Sequence, residues 1–406
     1  MTDRASGTEQ DAAPSAGSRI LLVTTRFPWR SETFIERKAR ALRAQGLDVA
    51  VAASQVYPQD PSLPAVPVVQ LPRVRSPRTW TSTARAMLRD RDARSLAPSL
   101  VRHHDHPVGL LPVVAGHHDV VHFEFSGIAA AVADQLPQLA PVKLAVSCRG
   151  HAENVAPLHD ERRRERLERV FGEMSLIHCV SDAMAATVRA LGAPEERILV
   201  NRPAVDTDRW AGVGRVAPEV RGTADAPLRV LSVGRLNWQK GFDDALRAIA
   251  EAKAKGVAIH YRIAGQGPEL EKLEFLQASL GLDAQVELLG WQSQTEVEAH
   301  LRWADAFFLP SLSEGISNSA LEAMAAGVPV VSSSCGGMDE VFTTSSEGLL
   351  VEVGDTSAMA GALASLADPD RRRALADSGT TRARDAFDLS RQATVFADAY
   401  RALAGA

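Results

Sequence analysis

Cysteine is scarce: the 406 residues hold three, Cys148, Cys179 and Cys335, far apart and with no C-x-x-C pair. That usage excludes a disulfide framework and a zinc knuckle, and suits a reducing cytoplasm. Cys335, set among Ser and Gly, reads either as a small residue in a tight loop or as a nucleophile. No apolar run approaches the roughly 20 residues of a membrane span. Residues 1–17 are polar and rich in Ala and Ser without an apolar centre, which suggests a disordered tail rather than a signal peptide. Neither half carries G-x-G-x-x-G after its first strand, so a nicotinamide dehydrogenase is disfavoured. Strong positive charge is missing as well. With 45 Lys and Arg against 50 Asp and Glu, the net charge is -5, and nothing points to nucleic acid as a partner. The charge is unevenly spread, 28 basic against 25 acidic residues through residue 220 and 17 against 25 beyond it. The two halves are thus expected to meet different partners.

What is present is apolar residue enough for more than one core, 45% of the chain, at a length that suits two or three domains. Residues 20–23 read as a buried strand, 32–44 as a helix stopped by Gly46, and 47–52 as the next strand. Further buried strands are expected at 119–122, 142–146, 176–180 and 198–200. Residues 210–227, rich in Gly, Pro, Ala and charge, read as a linker. The pattern then restarts with a strand at 228–233 and a helix at 242–255. Strands at 260–264, 286–289, 306–309 and 328–331 complete it. Two such βα arrays imply an α/β chain of two Rossmann-like, doubly wound domains facing across a cleft, with ligands at the carboxyl ends of the strands. The expected division is a tail at 1–17, a first Rossmann-like domain at 18–210, a linker at 211–227 and a second Rossmann-like domain at 228–385. A C-terminal helix at 386–406 would be free to cross back to the first domain.

Polar clusters end the second-half strands. Gly234, Arg235, Lys240 and Gly241 follow the first of them, and the two cations, five apart on one loop, can turn towards one point. They suit a diphosphate, Arg as a planar fork and Lys as a compact charge. The alternative is a surface Arg and a helix-starting Lys. After 306–309 come Glu314, Gly315, Ile316, Ser317, Asn318 and Ser319, then a helical run through Glu322 to Ala326. The free amides of a helix start near 317–320 make an anion site. Glu314 before it and Glu322 a turn inside it could each accept from vicinal hydroxyls, of a sugar and a ribose. Otherwise they are a loop charge and an ordinary helix residue.

The string from Glu314 to Val331 resembles the E-x7-E signature of family-four retaining glycosyltransferases of the GT-B fold. Val233-Gly234-Arg235 with Lys240-Gly241, Ala264-Gly265-Gln266-Gly267-Pro268, and Gly336-Gly337 with Glu340 follow in that family's order, and the resemblance covers nearly all of the chain after Arg19. It implies that Arg235 and Lys240 bind the diphosphate and stabilise the leaving group. Glu314 would hold donor-sugar hydroxyls, Glu322 the ribose, and residues 315–319 the phosphates through their amides, with Gly290-Trp291-Gln292 beside the nucleobase. Gly265 would belong to the same nucleotide site. The first half resembles an exopolysaccharide-type branch. Phe27-Pro28-Trp29-Arg30-Ser31-Glu32-Thr33-Phe34-Ile35 is similar to that branch's opening loop and helix, which implies acceptor contacts at Ser31, Glu32 and Thr33. Val146 to His151 is similar to a loop that often reads His-Gly-x-Asp, but Arg149 stands in place of that His and Ala152 in place of the Asp. Either His151 or Arg149 would take the histidine's role. His122, ending its strand, is a second acceptor-side candidate or a core histidine.

Other signals are weaker. His103, His104, His106, His117 and His118 invite a metal, but adjacent loop histidines without a helical pair do not make a ligand set, and no metal and no cofactor is expected. Residues 71–102 hold eight Arg and two Asp. A helix there would either press on anionic lipid at the inner membrane face or pack on the sheet. The expected reaction is retaining transfer of a sugar from a nucleotide diphosphate-sugar to a hydroxyl of a glycan, a lipid-linked acceptor or a small molecule. The alternatives are a nucleotide-sugar epimerase and a non-catalytic nucleotide-sugar-binding module.

Overall fold

The computed structural model describes residues 18–29, 32–71, 118–214 and 216–405. The expected tail, Arg30, Ser31, residues 72–117 with most of the Arg-rich segment and its histidines, and the side chain of His151 lie outside the described residues. Two compact units are formed. One comprises the described part of Met1–His122 with Pro137–Leu144 and Ala397–Ala406, the other Phe123–Leu136 with Ala145–Phe396.

The first sheet contains β1 (Arg19–Phe27), β2 (Asp48–Val56), β3 (Val68–Gln70), β4 (Val120–Phe123), β5 (Lys143–Cys148), β6 (Leu176–Cys179) and β7 (Ile198–Val200). Its order is β3-β2-β1-β4-β5-β6-β7. The second contains β8 (Leu228–Val233), β9 (Ile259–Ala264), β10 (Val286–Gly290), β11 (Ala306–Leu309), β12 (Val330–Ser333) and β13 (Leu349–Val351), in the order β10-β9-β8-β11-β12-β13. Every pair in the second sheet is parallel. Strands buried on both faces favour apolar runs such as β11, and β4 and β12, which carry the buried His122 and the buried Ser332 and Ser333, are likewise buried at every position. In each sheet the order reverses once, beside β1 and β4 and beside β8 and β11. Those are the switch points where doubly wound sheets bind ligands.

The helices bury one stripe each. Thr33–Ala44 turns Ile35, Ala39 and Leu42 inward, and Phe242–Ala254 buries Phe242, Ala245, Leu246, Ile249 and Ala252. Residues 210–222 are held to the second unit. Trp210 and Val213 lie in its core, the Gly214 amide donates to Ala326 O at 2.7 Å, and the buried Arg372 guanidinium donates to Ala217 O and Glu219 O at 2.9 and 2.7 Å. The strand expected at 328–331 starts at Val330, because Pro329 has no N–H to enter the ladder. The three-residue strands β3 and β13 had no recognisable period.

Candidate functional site

The loops that leave β8, β9 and β10 are laced by backbone bonds. Gly234 N–H donates to Ala264 O at 3.0 Å, Gly265 N–H to Gly290 O at 2.8 Å, and Leu236 N–H to Gln266 O at 3.0 Å. Three glycines expected at the nucleotide site therefore lie side by side. A Cβ on Gly265 would fall 1.8 Å from Gly234 O, so this approach needs glycine. Beyond Gly234 the chain makes a short turn at Trp238–Lys240 and enters the next helix through Gly241, at φ 61°. A Cβ there would lie 2.1 Å from Pro310 O. That contact joins the loop after β8 to the loop after β11, and Leu312 N–H donates to Gln239 O at 2.8 Å across the same seam.

The seam brings the two motif clusters together. Lys240 Nζ forms an ion pair with Glu314 Oε1, and Ser311 Oγ donates to the same oxygen at 2.8 Å. Lys240 is thus not a free cation but is shared with the carboxylate that follows β11. Arg235 differs: it is exposed, and its guanidinium has no hydrogen-bond or ion-pair partner among the described residues. The helix Asn318–Ala325 starts beside them, its first backbone bond running from Leu321 N to Ser317 O at 3.1 Å. The amides of Asn318, Ser319 and Ala320 are left as the orphan donors of a helix start. Ser317 N–H meets Met338 Sδ at 3.5 Å, and Ser319 Oγ donates to Val233 O at 3.0 Å, tying the helix start to the end of β8. Ile316 is buried in the core and offers only its backbone. Glu322 is half-buried one turn into the helix.

Also within the second unit, the loop after β5 lies against the Glu314 loop. A Cβ on Gly315 would lie 2.5 Å from Arg149 O. Arg149 is not free to reach outward: its Nη2 is 2.5 Å from Glu124 Oε2, its Nε donates to Glu124 O at 3.0 Å, and Glu124 is fully buried. The buried Glu153 accepts from the amides of Arg149 and Gly150 at 3.3 and 3.1 Å. Burial pushes its carboxyl up, against the lowering by the Ser126 hydroxyl, those amides and Arg163. Glu153 and Glu314 both line a cavity of about 600 Å³ in this unit, with Ser181 and Met184. Glu124, Glu153 and Ser311 escaped the sequence reading, although Glu124 and Ser311 stand just past strands that it identified.

In the first unit, His122 is a correction. It is fully buried, with Nδ1 2.6 Å from Tyr400 Oη of the helix Leu389–Gly405, so it belongs to the core and not to an accessible acceptor site. Glu32 occupies the N-cap position of the helix Thr33–Ala44 without a side-chain capping bond, and Thr33 Oγ1 accepts from Arg37 Nη2 at 3.5 Å. Cys335 is buried, and desolvation, followed by the charge of Glu314, pushes its thiol up to about 12, which removes the nucleophile reading. Among the described residues no three His, Cys, Asp or Glu side chains are gathered for a metal ion. No helix among them is long and apolar enough to cross a membrane.

Comparison with known proteins accords with this geometry. The model described as Glycosyltransferase Family 4 matches residues 31–209, and the one described as Glycosyl transferases group 1 matches residues 217–382. The colanic acid biosynthesis glycosyltransferase WcaL of Salmonella typhimurium is 36% identical over 234 residues, 56% of either chain. Its counterpart in Escherichia coli is matched over 61% of its length, so the chain spans less than two thirds of these relatives. The amylovoran biosynthesis glycosyltransferase AmsK of Erwinia amylovora is 27% identical over 379 residues, covering 85% of this chain and 89% of its own. Among solved structures, Anabaena HepE in complex with UDP and glucose superposes with a TM-score of 0.71 at 16% identity, over 95% of this chain and all of its own. With two parallel Rossmann-like sheets, and glycosyltransferase models matched over residues 31–209 and 217–382, the chain belongs to the family-four glycosyltransferases of the GT-B fold.

Proposed function

We propose that the protein transfers a sugar from a nucleotide diphosphate-sugar to an acceptor hydroxyl, on a glycan, lipid-linked or small-molecule acceptor, with retention of anomeric configuration. The observation that carries this reading is the meeting of Lys240, Glu314 and the open helix start at Asn318 to Ala320, with the unpaired Arg235 on the same loop as Lys240. Diphosphate oxygens would take the free amides and the two cations, which stabilise the charge that develops as the glycosidic C–O bond breaks. The acceptor oxygen bonds to the anomeric carbon from the face that the diphosphate leaves, and a departing phosphate oxygen takes its proton. Glu314 holds sugar hydroxyls and Glu322 the ribose. No metal is assigned a step, since fixed cations and amides supply the charge.

A panel of UDP-, GDP-, ADP- and dTDP-sugars tests the donor. Ligand at 100 times its Kd stabilises the native state by about 2.7 kcal/mol, so one nucleotide class should raise the melting temperature clearly. Transfer from that donor, followed by NMR of the anomeric proton, should give a product of the donor's configuration. A product of opposite configuration would reject retention, and a panel without any shift would reject the donor class.

A further inference from the structure

The carboxyl ends of β1 and β2, in the first unit, carry a side-chain cluster that the donor chemistry does not use. Arg26 is the last residue but one of β1, Trp29 follows two residues beyond its end, and Tyr57 directly follows β2. The strands are parallel neighbours with Phe27 opposite Val56, and Tyr57 N–H donates to Phe27 O at 2.8 Å. The indole and phenol rings therefore stand together, their centroids 5.1 Å apart and their planes 41° apart. The Arg26 guanidinium lies 4.6 Å from the indole centroid. Tyr57 is 38% exposed, and its hydroxyl, 3.0 Å from Gln55 Oε1, fixes the ring's tilt. Among the described residues of this unit, Arg40 pairs with Glu36 and Arg43 with Asp48. Arg26 has no ion pair or hydrogen bond from its side chain among the described residues; the indole is its contact.

We propose that Arg26, Trp29 and Tyr57 form a subsite for an anionic saccharide, so that the acceptor is a glycan bearing a carboxylate or a phosphate. This deepens the glycosyltransferase reading and rests on it. Two tilted, partly exposed rings offer an apolar shelf of the kind on which the C–H face of a pyranose packs. A guanidinium stacked on one of them keeps its edge N–H groups free, and that fork matches a carboxylate or a phosphate oxygen pair. Both features stand at the carboxyl ends of the strands, the side on which a doubly wound sheet takes its ligand, and β1 borders the switch point. The residues of this unit hold 18 Lys and Arg against 12 Asp and Glu, which favours the same charge of partner.

Isothermal titration of the full chain with cellobiose, cellobiouronic acid and cellobiose 6′-phosphate tests this. At least one charged probe should bind about tenfold tighter than cellobiose, the scale of one charge-assisted contact, and the preferred probe identifies the anion. Arg26→Gln should erase that preference and leave cellobiose binding within about twofold. Trp29→Ala should weaken all three probes, with Trp29→Phe recovering part of the loss, while stabilisation by the donor nucleotide-sugar stays as in the wild type. Equal affinity for all three probes, no measurable binding of any, or a preference that survives Arg26→Gln would overturn the subsite. Charged-probe binding that behaves as expected in a protein no nucleotide-sugar stabilises would instead reject the transferase reading and leave the subsite standing.

Discussion

Replacing Lys240 by Met and Arg235 by Gln tests the proposed phosphate clamp, in which one cation also supports the fold and the other does not. The Lys240 and Glu314 side chains are 19% and 13% exposed. Removing the ammonium leaves the Glu314 carboxylate with Ser311 Oγ at 2.8 Å as its remaining side-chain hydrogen bond. Breaking a fully buried pair costs about 3–5 kcal/mol, and an exposed pair is worth about 0–1 kcal/mol. This half-open pair lies between them, so Lys240→Met should cost about 1–2 kcal/mol of stability. Arg235 is exposed and without a side-chain partner among the described residues, and its loss should change stability by less than about 0.5 kcal/mol. In turnover the two should look alike. Removing one fixed donor from a developing anion costs about 3 kcal/mol, on the order of 100-fold in kcat. Urea melts and the release of nucleoside diphosphate at saturating donor read the two effects separately. Near-normal turnover in both variants would refute the phosphate clamp. An Arg235→Gln variant as unstable as Lys240→Met would refute the structural half of the argument.

Chelation by EDTA should leave turnover unchanged; activity lost to EDTA and restored by Mg²⁺ or Mn²⁺ would show a metal requirement. Glu322→Ala should weaken the nucleoside diphosphate by roughly 1–3 kcal/mol through loss of a charged hydrogen bond to the ribose, and an unchanged titration would remove Glu322 from that role. The Asp305 carboxylate is fully buried and accepts from Arg229 N, Nε and Nη2 at 3.0, 3.1 and 3.0 Å, with Arg221 Nε at 3.2 Å. Asp305→Asn should therefore lower stability by about 3 kcal/mol in urea, and a loss below about 1 kcal/mol would mean that the pair breaks even. The raised pKa of Cys335 keeps its thiol neutral at pH 8, so iodoacetamide should label it in urea but hardly in the native protein. Rapid native labelling, read by mass spectrometry, would contradict that.

Most of the strands legible in the sequence are largely buried, although β7 and β10 were legible while only half-buried. β11 reads as an unbroken apolar run, β4 and β12 open on Val-Val before the buried His122 and the buried Ser332 and Ser333, and a glycine or polar cluster closes most such runs. Gly241 and Gly265 were legible as motif members, and the structure gives a reason for them: a Cβ on either would fall 2.1 or 1.8 Å from a backbone carbonyl oxygen. Partnerships were not legible. Arg149 meets Glu124 across 25 residues, and His122 meets Tyr400 across 278. Neither contact leaves a mark in local composition. A histidine at the end of an apolar strand looks the same whether a ligand or a distant tyrosine satisfies its ring. The strand end supplied the location and tertiary packing decided the role.

The Lys240–Glu314 pair shows how far topology extends that reading. The two residues stand 74 positions apart in separate motifs, and nothing in either motif names the other. In the second sheet, however, the strand order reverses beside β8, so β11 becomes its neighbour although β9 and β10 intervene in the chain. Parallel neighbours end on the same side of a sheet, so the loops leaving β8 and β11 must emerge together. A cation seven residues past one end and a carboxylate five past the other are then within reach without any further contact to steer them. The Gly241 backbone closes the remaining gap, because only a residue without a Cβ can turn at φ 61° against Pro310 O. Gly241→Ala should consequently part the two loops and weaken the Lys240–Glu314 pair without touching either charge. The strain at positive φ alone costs about 1 kcal/mol, and the clash with a carbonyl adds to it. Turnover should fall alongside stability, and a variant that melts like the wild type would show that the seam does not set the site.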